Sequence, residues 1–247
     1  MTFKHLEDEL TSEGNEVNLE KYMQVFSELS EPTKTVLGYT LDFAAYLNEL
    51  RLGNQFCLHG GYGVLSHLML DYGEDITRYW RGSEDIDCIG TFVVLSALKS
   101  GYNVKGDRPS QNIDGKRTVK LDNGSEQECK IDYTLESEFL DLGVPERNRN
   151  FGIDLLVLSP LNLIRGKLNT PVEQIIHSYD IMSMLALLEK RGYDSLRISG
   201  FFDERQKALL LERIVLIESS EMSNRLGISP SDKFLREVKT CLKSVNH

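Results

Sequence analysis

The chain has 247 residues and a formal net charge of −10, from 38 acidic against 28 basic side chains. With 40% hydrophobic and 27% charged residues it is globular in composition and long enough to bury a sizeable core, which excludes wholesale disorder. The acidic balance also excludes a protein that coats nucleic acid through bulk charge. The charge is unevenly spread, however. Residues 1–20 hold six acids and one base, residues 71–87 six acids and two arginines, residues 99–120 six bases and two acids, and residues 225–247 five bases and two acids. A localised cation site beside a localised anion site is compatible with that alternation.

No apolar run approaches the length of a membrane span, and the first residues lack the apolar stretch of a signal peptide. The expectation is a cytoplasmic protein with no membrane partner. Cys57, Cys88, Cys129 and Cys241 form no CxxC pair and no metal-ligand spacing. Three fall in apolar, strand-like runs, where a free thiol behaves as a small hydrophobe.

In chain order, residues 1–16 read as an acidic tail. Apolar residues at helical spacing from Leu19 to Leu52 predict two helices, separated at Glu31-Pro32 because proline suits a helix start. A short strand at Gln55–Leu58 stops at His59-Gly60-Gly61, and a helix follows from Tyr62 to Tyr72. A polar loop leads to Asp85–Ile89, whose alternation fits a strand. Thr91–Leu98 reads as a helix closed by Gly101. Lys116–Leu121 and Glu126–Leu135 flank Asp122-Asn123-Gly124, a hairpin signal. Ile153–Leu158 is a further strand, and Ser159-Pro160 opens a helix. From Pro171 onward the periodicity is helical, with one long helix and two more near 203–219 and 231–245. The organisation expected is a helical lead over residues 1–52, an α/β core over 53–160 and a helical subdomain over 161–247.

The chemistry concentrates between Phe56 and Asp87. Side chains two apart on a strand share a face, so Asp85 and Asp87 present adjacent carboxylates that repel unless a cation lies between them. Hard oxygen ligands favour Mg²⁺, with Mn²⁺ as an alternative. Asp132, in Cys129-Lys130-Ile131-Asp132-Tyr133, points away from its apolar neighbours and joins the pair if its strand lies beside theirs. Three converging carboxylates suit metal-assisted phosphoryl chemistry. Gly60 and Gly61, at a strand-to-helix turn, let backbone approach a ligand, and a helix N-terminus favours phosphate. Each feature has a plainer reading: Gly-Gly pairs mark turns, paired Asp cap helices, and Lys167 near a helix end is favoured by the dipole alone. Arg81 is placed to pair with either the nearby acids or a phosphate. Trp80 reads as a core anchor. His59-Gly60-Gly61 also matches an esterase oxyanion loop, but the Gly-x-Ser-x-Gly elbow that reading needs is missing.

Taken in order, Gly60-Gly61, a helix, Arg81-Gly82-Ser83-Glu84-Asp85-Ile86-Asp87 and then Asp132 on a later strand resemble the polymerase-beta-like nucleotidyltransferase superfamily. Within it the chain resembles the abortive-infection toxins of AbiEii type. Ile153–Leu158 followed by a helix carrying Lys167, and then His177-Ser178-Tyr179-Asp180, resemble that group's downstream pattern. Residues 62–84 form a longer gap before Asp85 than the group usually has. The resemblance covers roughly residues 53–190. It implies an α/β fold: a small mixed sheet with helices, then a helical C-terminal subdomain. It implies Mg²⁺-dependent transfer of a nucleoside monophosphate from an NTP to an acceptor such as an RNA or tRNA end or a protein, in a toxin–antitoxin or phage-defence setting with an antitoxin partner. Asp85, Asp87 and Asp132 would hold metal. Gly60, Gly61, Ser66, Arg81, Lys167 and Asp180 would form the nucleotide site. A catalytically silent nucleotide- or partner-binding relative and an antibiotic nucleotidyltransferase remain as alternatives.

Overall fold

The computed structural model describes residues 3–12, 15–80, 82–83, 85–109, 116–122, 128–135, 143–171, 174–219 and 228–244. The chain forms two compact units that meet in sequence between Leu158 and Ser159.

The first unit begins with helices α1 (Lys4–Leu10), α2 (Glu16–Ser27) and α3 (Glu31–Glu49). The break before α3 is where the sequence puts it, with Ser30 extended and Pro32 in the first turn. The acidic tail expected over residues 1–16 is corrected by α1, which buries Phe3, Leu6 and Leu10 in the main core. Its acids lie on the other face, so charge density concealed an amphipathic helix. Gly38 on α3 permits this docking, since a β-carbon there would overlap the Phe3 ring. Asp42 fastens it by accepting from the Leu6 backbone N–H at 2.9 Å and from the Tyr102 hydroxyl at 2.7 Å. The helices of residues 1–52 share one hydrophobic core with the sheet.

The remaining elements of this unit are β1 (Phe56–Leu58), α4 (Gly60–Tyr72), β2 (Asp85–Gly90), α5 (Phe92–Gly101), β3 (Asn103–Pro109), β4 (Lys116–Asp122), β5 (Glu128–Leu135), β6 (Glu146–Asn150) and β7 (Ile153–Val157). Among the described residues they build a mixed seven-stranded sheet in the order β3-β4-β5-β2-β1-β7-β6. The hairpin forms as its sequence requires, β4 pairing antiparallel with β5. The two outermost strands, β3 and β6, had no strand signal in the sequence because neither carries a run of alternating apolar residues. The loop after α4 holds a two-turn 3₁₀ helix at Glu74–Tyr79. Trp80 beside it packs edge-on against Tyr62, as an anchor of the core.

One face of the sheet is lined by Phe56, Leu58, Ile86, Cys88, Ile131 and Tyr133, all at most 2% exposed. Helix α3 packs against β2, β5 and β7. It is apolar around most of its circumference and correspondingly buried. On the opposite face Asp85, Asp87 and Lys130 are only half-buried.

The second unit comprises α6 (Pro160–Leu168), α7 (Ile175–Lys190), α8 (Ser195–Phe201), α9 (Glu204–Glu218) and α10 (Asp232–Lys243). Helices α7, α9 and α10 follow the expected periodicities, and α8 is additional. Ser159 precedes α6 without capping it through its side chain; its hydroxyl accepts from the Asn162 side chain instead. Buried Arg213 on α9 donates to the carbonyls of Thr170 and Pro171, clasping the turn between α6 and α7.

Candidate metal and phosphate site

Strands β2 and β5 are parallel neighbours, and their register sets Asp85 opposite Lys130 and Asp87 opposite Asp132. Directly paired residues on adjacent strands share a face, as do residues two apart on one strand. Asp85, Asp87, Lys130 and Asp132 therefore project from the same side of the sheet. One carboxylate oxygen from each of Asp85, Asp87 and Asp132 lies within 4.8 Å of the others. Asp132 is 8% exposed, whereas Asp85 and Asp87 are half-buried, so the cluster opens to solvent at the β2 side.

Strand β1 runs antiparallel to β2 and delivers the chain to this cluster. The His59 backbone N–H donates to the Asp87 carbonyl at 3.0 Å, and α4 then starts at Gly60. Gly60 has φ +60°, and a β-carbon there would collide with the Asp87 carboxylate. Glycine is thus required twice over, by the left-handed backbone and by the closeness of a charged group. Helix α4 begins without a side-chain cap, with its positive dipole end beside Asp87.

Lys130 escaped the sequence reading. Its Nζ donates to Asp85 Oδ2 at 3.0 Å and to Asp132 Oδ2 at 3.2 Å. Partial burial alone would lower its pKa, but the hydrogen bonds and attraction of Asp85 and Asp132 prevail and raise it. The signal for Lys130 was present: it stands two residues before Asp132 on a strand, hence on the same face. The ammonium is a cation already lodged between two of the three carboxylates. That donor set, all hard oxygen around a bound positive charge, fits a divalent ion of the Mg²⁺ or Mn²⁺ kind.

The strand face continues past the acids into a recess of about 120 Å³, lined by Cys57, Ile89, Leu156, Leu158 and Pro145 with the amides of Asn54 and Gln55. Ile89 lies two residues beyond Asp87, and Cys57 is its cross-strand partner. Burial pushes the Cys57 thiol up to about 12, so this cysteine is an apolar lining group. All four cysteines are free.

Ser66 is fully buried, donating to Asn150 Oδ1 at 2.7 Å and accepting from Asn148 Nδ2 at 3.1 Å. Its neighbour His67 is equally buried, with Nε2 2.9 Å from the Leu158 carbonyl. Both residues pin α4 to β6 and the end of β7, which a polar helix position in sequence does not reveal. Arg81 lies outside the described residues. Lys167 and Asp180 belong to the second unit and pair with one another at 2.6 Å, both nearly buried, with His177 Nδ1 3.5 Å from the ammonium.

No protein-family model matches the sequence, and no curated protein does. The resemblance to abortive-infection toxins therefore rests on the motifs alone. Among solved structures the chain is similar to the crystal structure of an antigenic nucleotidyltransferase-like protein from Paracoccidioides brasiliensis, with a TM-score of 0.44 and 14% sequence identity, covering 79% of this chain and 94% of that one. No helix among the described residues is long and apolar enough to cross a membrane.

Proposed function

We propose that the protein is a divalent-metal-dependent nucleotidyltransferase, moving a nucleoside monophosphate from an NTP to an acceptor hydroxyl with release of pyrophosphate. The observation that carries this reading is the β2–β5 register, which sets Asp87 opposite Asp132 with Asp85 on the same face, beside the N-terminus of α4.

When bound, Mg²⁺ supplies charge neutralisation on the transferring phosphoryl group and lowers the pKa of a coordinated hydroxyl. The chain's own residues do the rest by position. Asp85 and Asp87 hold the cation from one strand. Asp132, the most buried of the three, is assigned the acceptor side, where its carboxylate favours deprotonation of the attacking hydroxyl. The amides at Gly60 and Gly61 receive the triphosphate, where absent side chains and a helix N-terminus favour phosphate oxygens. The Lys167–Asp180 pair is assigned to structure, since each charge is answered by the other inside the second unit. The acceptor class, an RNA or tRNA end or a protein side chain, and a toxin role with an antitoxin partner belong to the same proposal and rest on the sequence motifs.

The test is incubation of the protein with Mg²⁺, each α-labelled NTP in turn and a total cell extract, followed by separation of RNA and protein. Label enters one macromolecule with one preferred NTP, and Asp85→Ala with Asp87→Ala lowers the transfer by about a hundredfold or more while the circular dichroism spectrum is unchanged. Full labelling by that double variant sinks the mechanism. Metal-independent NTP binding without any transfer favours the silent, binding-only alternative.

A further inference from the structure

Among the described residues, Lys130 is a cation this site already possesses. It shares a strand face with Asp132, stands in register with Asp85, and donates to one carboxylate oxygen of each. Three carboxylates with ligand oxygens within 4.8 Å of one another repel strongly in a half-buried setting. An ammonium offers three donors and one positive charge, and here it spans two adjacent strands. A divalent ion would need the same two oxygens.

We propose that Lys130 is a resident counter-cation: it keeps Asp85 and Asp132 assembled before metal arrives, and a divalent ion enters by displacing it. This rests on the metal-site reading above and goes beyond it, because it fixes the order in which ligands load. While the ammonium holds its place, metal alone must compete with an internal charge and bind next to it. Metal arriving with a triphosphate meets a different balance. The displaced ammonium stays on the carboxylate face of β5, and the incoming phosphate oxygens give it new anionic partners. Lys130 thus disfavours metal alone and favours metal together with nucleotide. It is a positioning residue: it acts through Asp85 and Asp132.

The experiment is Mn²⁺ binding to the full chain, followed by electron paramagnetic resonance, with and without a non-hydrolysable NTP analogue. Lys130→Met is expected to bind Mn²⁺ alone roughly tenfold more tightly than the wild type, the equivalent of one closely held charge removed. The same variant loses most of the gain in Mn²⁺ affinity that the analogue gives the wild type. Lys130→Arg, which keeps the charge, behaves like the wild type in both arms. Lys130→Gln serves as a second neutral variant should Lys130→Met fail to fold. Equal or weaker binding of Mn²⁺ alone by the neutral variants overturns the proposal, provided binding is still abolished by Asp85→Asn with Asp87→Asn. If that double variant binds Mn²⁺ like the wild type, or if no variant binds it under either condition, the metal-site reading itself falls and this proposal with it.

Discussion

At Gly60 two constraints meet: a left-handed backbone and a carboxylate pressed against the missing side chain. Gly73 provides the control, with φ +85° but open space where a β-carbon would sit. Gly60→Ala is expected to cost about 1–2 kcal/mol from backbone strain alone and to displace Asp87, so that Mn²⁺ binding and label transfer are lost together. Gly73→Ala is expected to cost about 1–3 kcal/mol, because φ +85° with ψ 160° is backbone that only glycine adopts readily, and to leave both unchanged. Thermal melts beside the two binding assays separate the outcomes, and retained Mn²⁺ affinity in Gly60→Ala would show that Asp87 has room to move. The glycine pair was legible in the sequence; the reason for the first glycine was not, because Asp87 lies 27 positions later and meets it only through the β1–β2 pairing. Lys130 is the converse case. Period-two alternation placed it beside Asp132, yet only the parallel register with β2 gave it Asp85 as a second partner.

Among the elements, α1 shows how a few buried atoms hold a charged helix in place. Asp42 on α3 accepts from the first turn of α1 and from Tyr102, and burial pushes its carboxyl above the ordinary carboxylate range, with the Leu6 and Tyr102 hydrogen bonds pulling the other way. A group whose pKa is raised on folding lends most stability below its unfolded value and loses it as pH climbs through the folded one. Asp42→Asn retains an acceptor for Leu6 and never ionises. The wild type is therefore expected to be most favoured over this variant at about pH 4 or below, with its advantage shrinking toward neutrality. Asp42→Ala, which strips both donors of their acceptor, is expected to cost about 1–3 kcal/mol. Urea titrations across that pH range check both; a wild-type advantage that grows with pH would reverse the assigned sign.

For the molecule as a whole, the first unit has a single core running from Phe3 to Val157. Phe3, Leu6 and Leu10 are each at most 4% exposed, and burying side chains of that size contributes about 1.5–3 kcal/mol apiece. Against a total stability of about 5–15 kcal/mol this is a large share. Deleting residues 1–12 is therefore expected to lower the melting temperature by about 10 °C or more, measured by calorimetry. An unchanged melt would return α1 to the status of a dispensable tail. The net charge of −10 also reads differently at this scale. Part of it belongs to the outward face of α1 and part to the carboxylate cluster, where Lys130 already offsets one unit.

The sequence by itself determined most elements, the Asp-x-Asp strand, the glycine turn and the hairpin that carries Asp132, because these are written in local periodicity and turn chemistry. It did not reveal that α1 is core, that β3 and β6 extend the sheet to seven strands, or that Ser66 is sealed inside a polar network. Each of those depends on what packs against the segment, and no local pattern encodes a distant neighbour. The convergence of the three carboxylates belongs to both levels: alternation chose the face, and strand order decided that β5 lies beside β2. The second partner of Lys130 was decided by tertiary structure alone, since its ammonium reaches Asp85 only when two strands, 45 residues apart at Asp85 and Lys130, bring their charges to the same place.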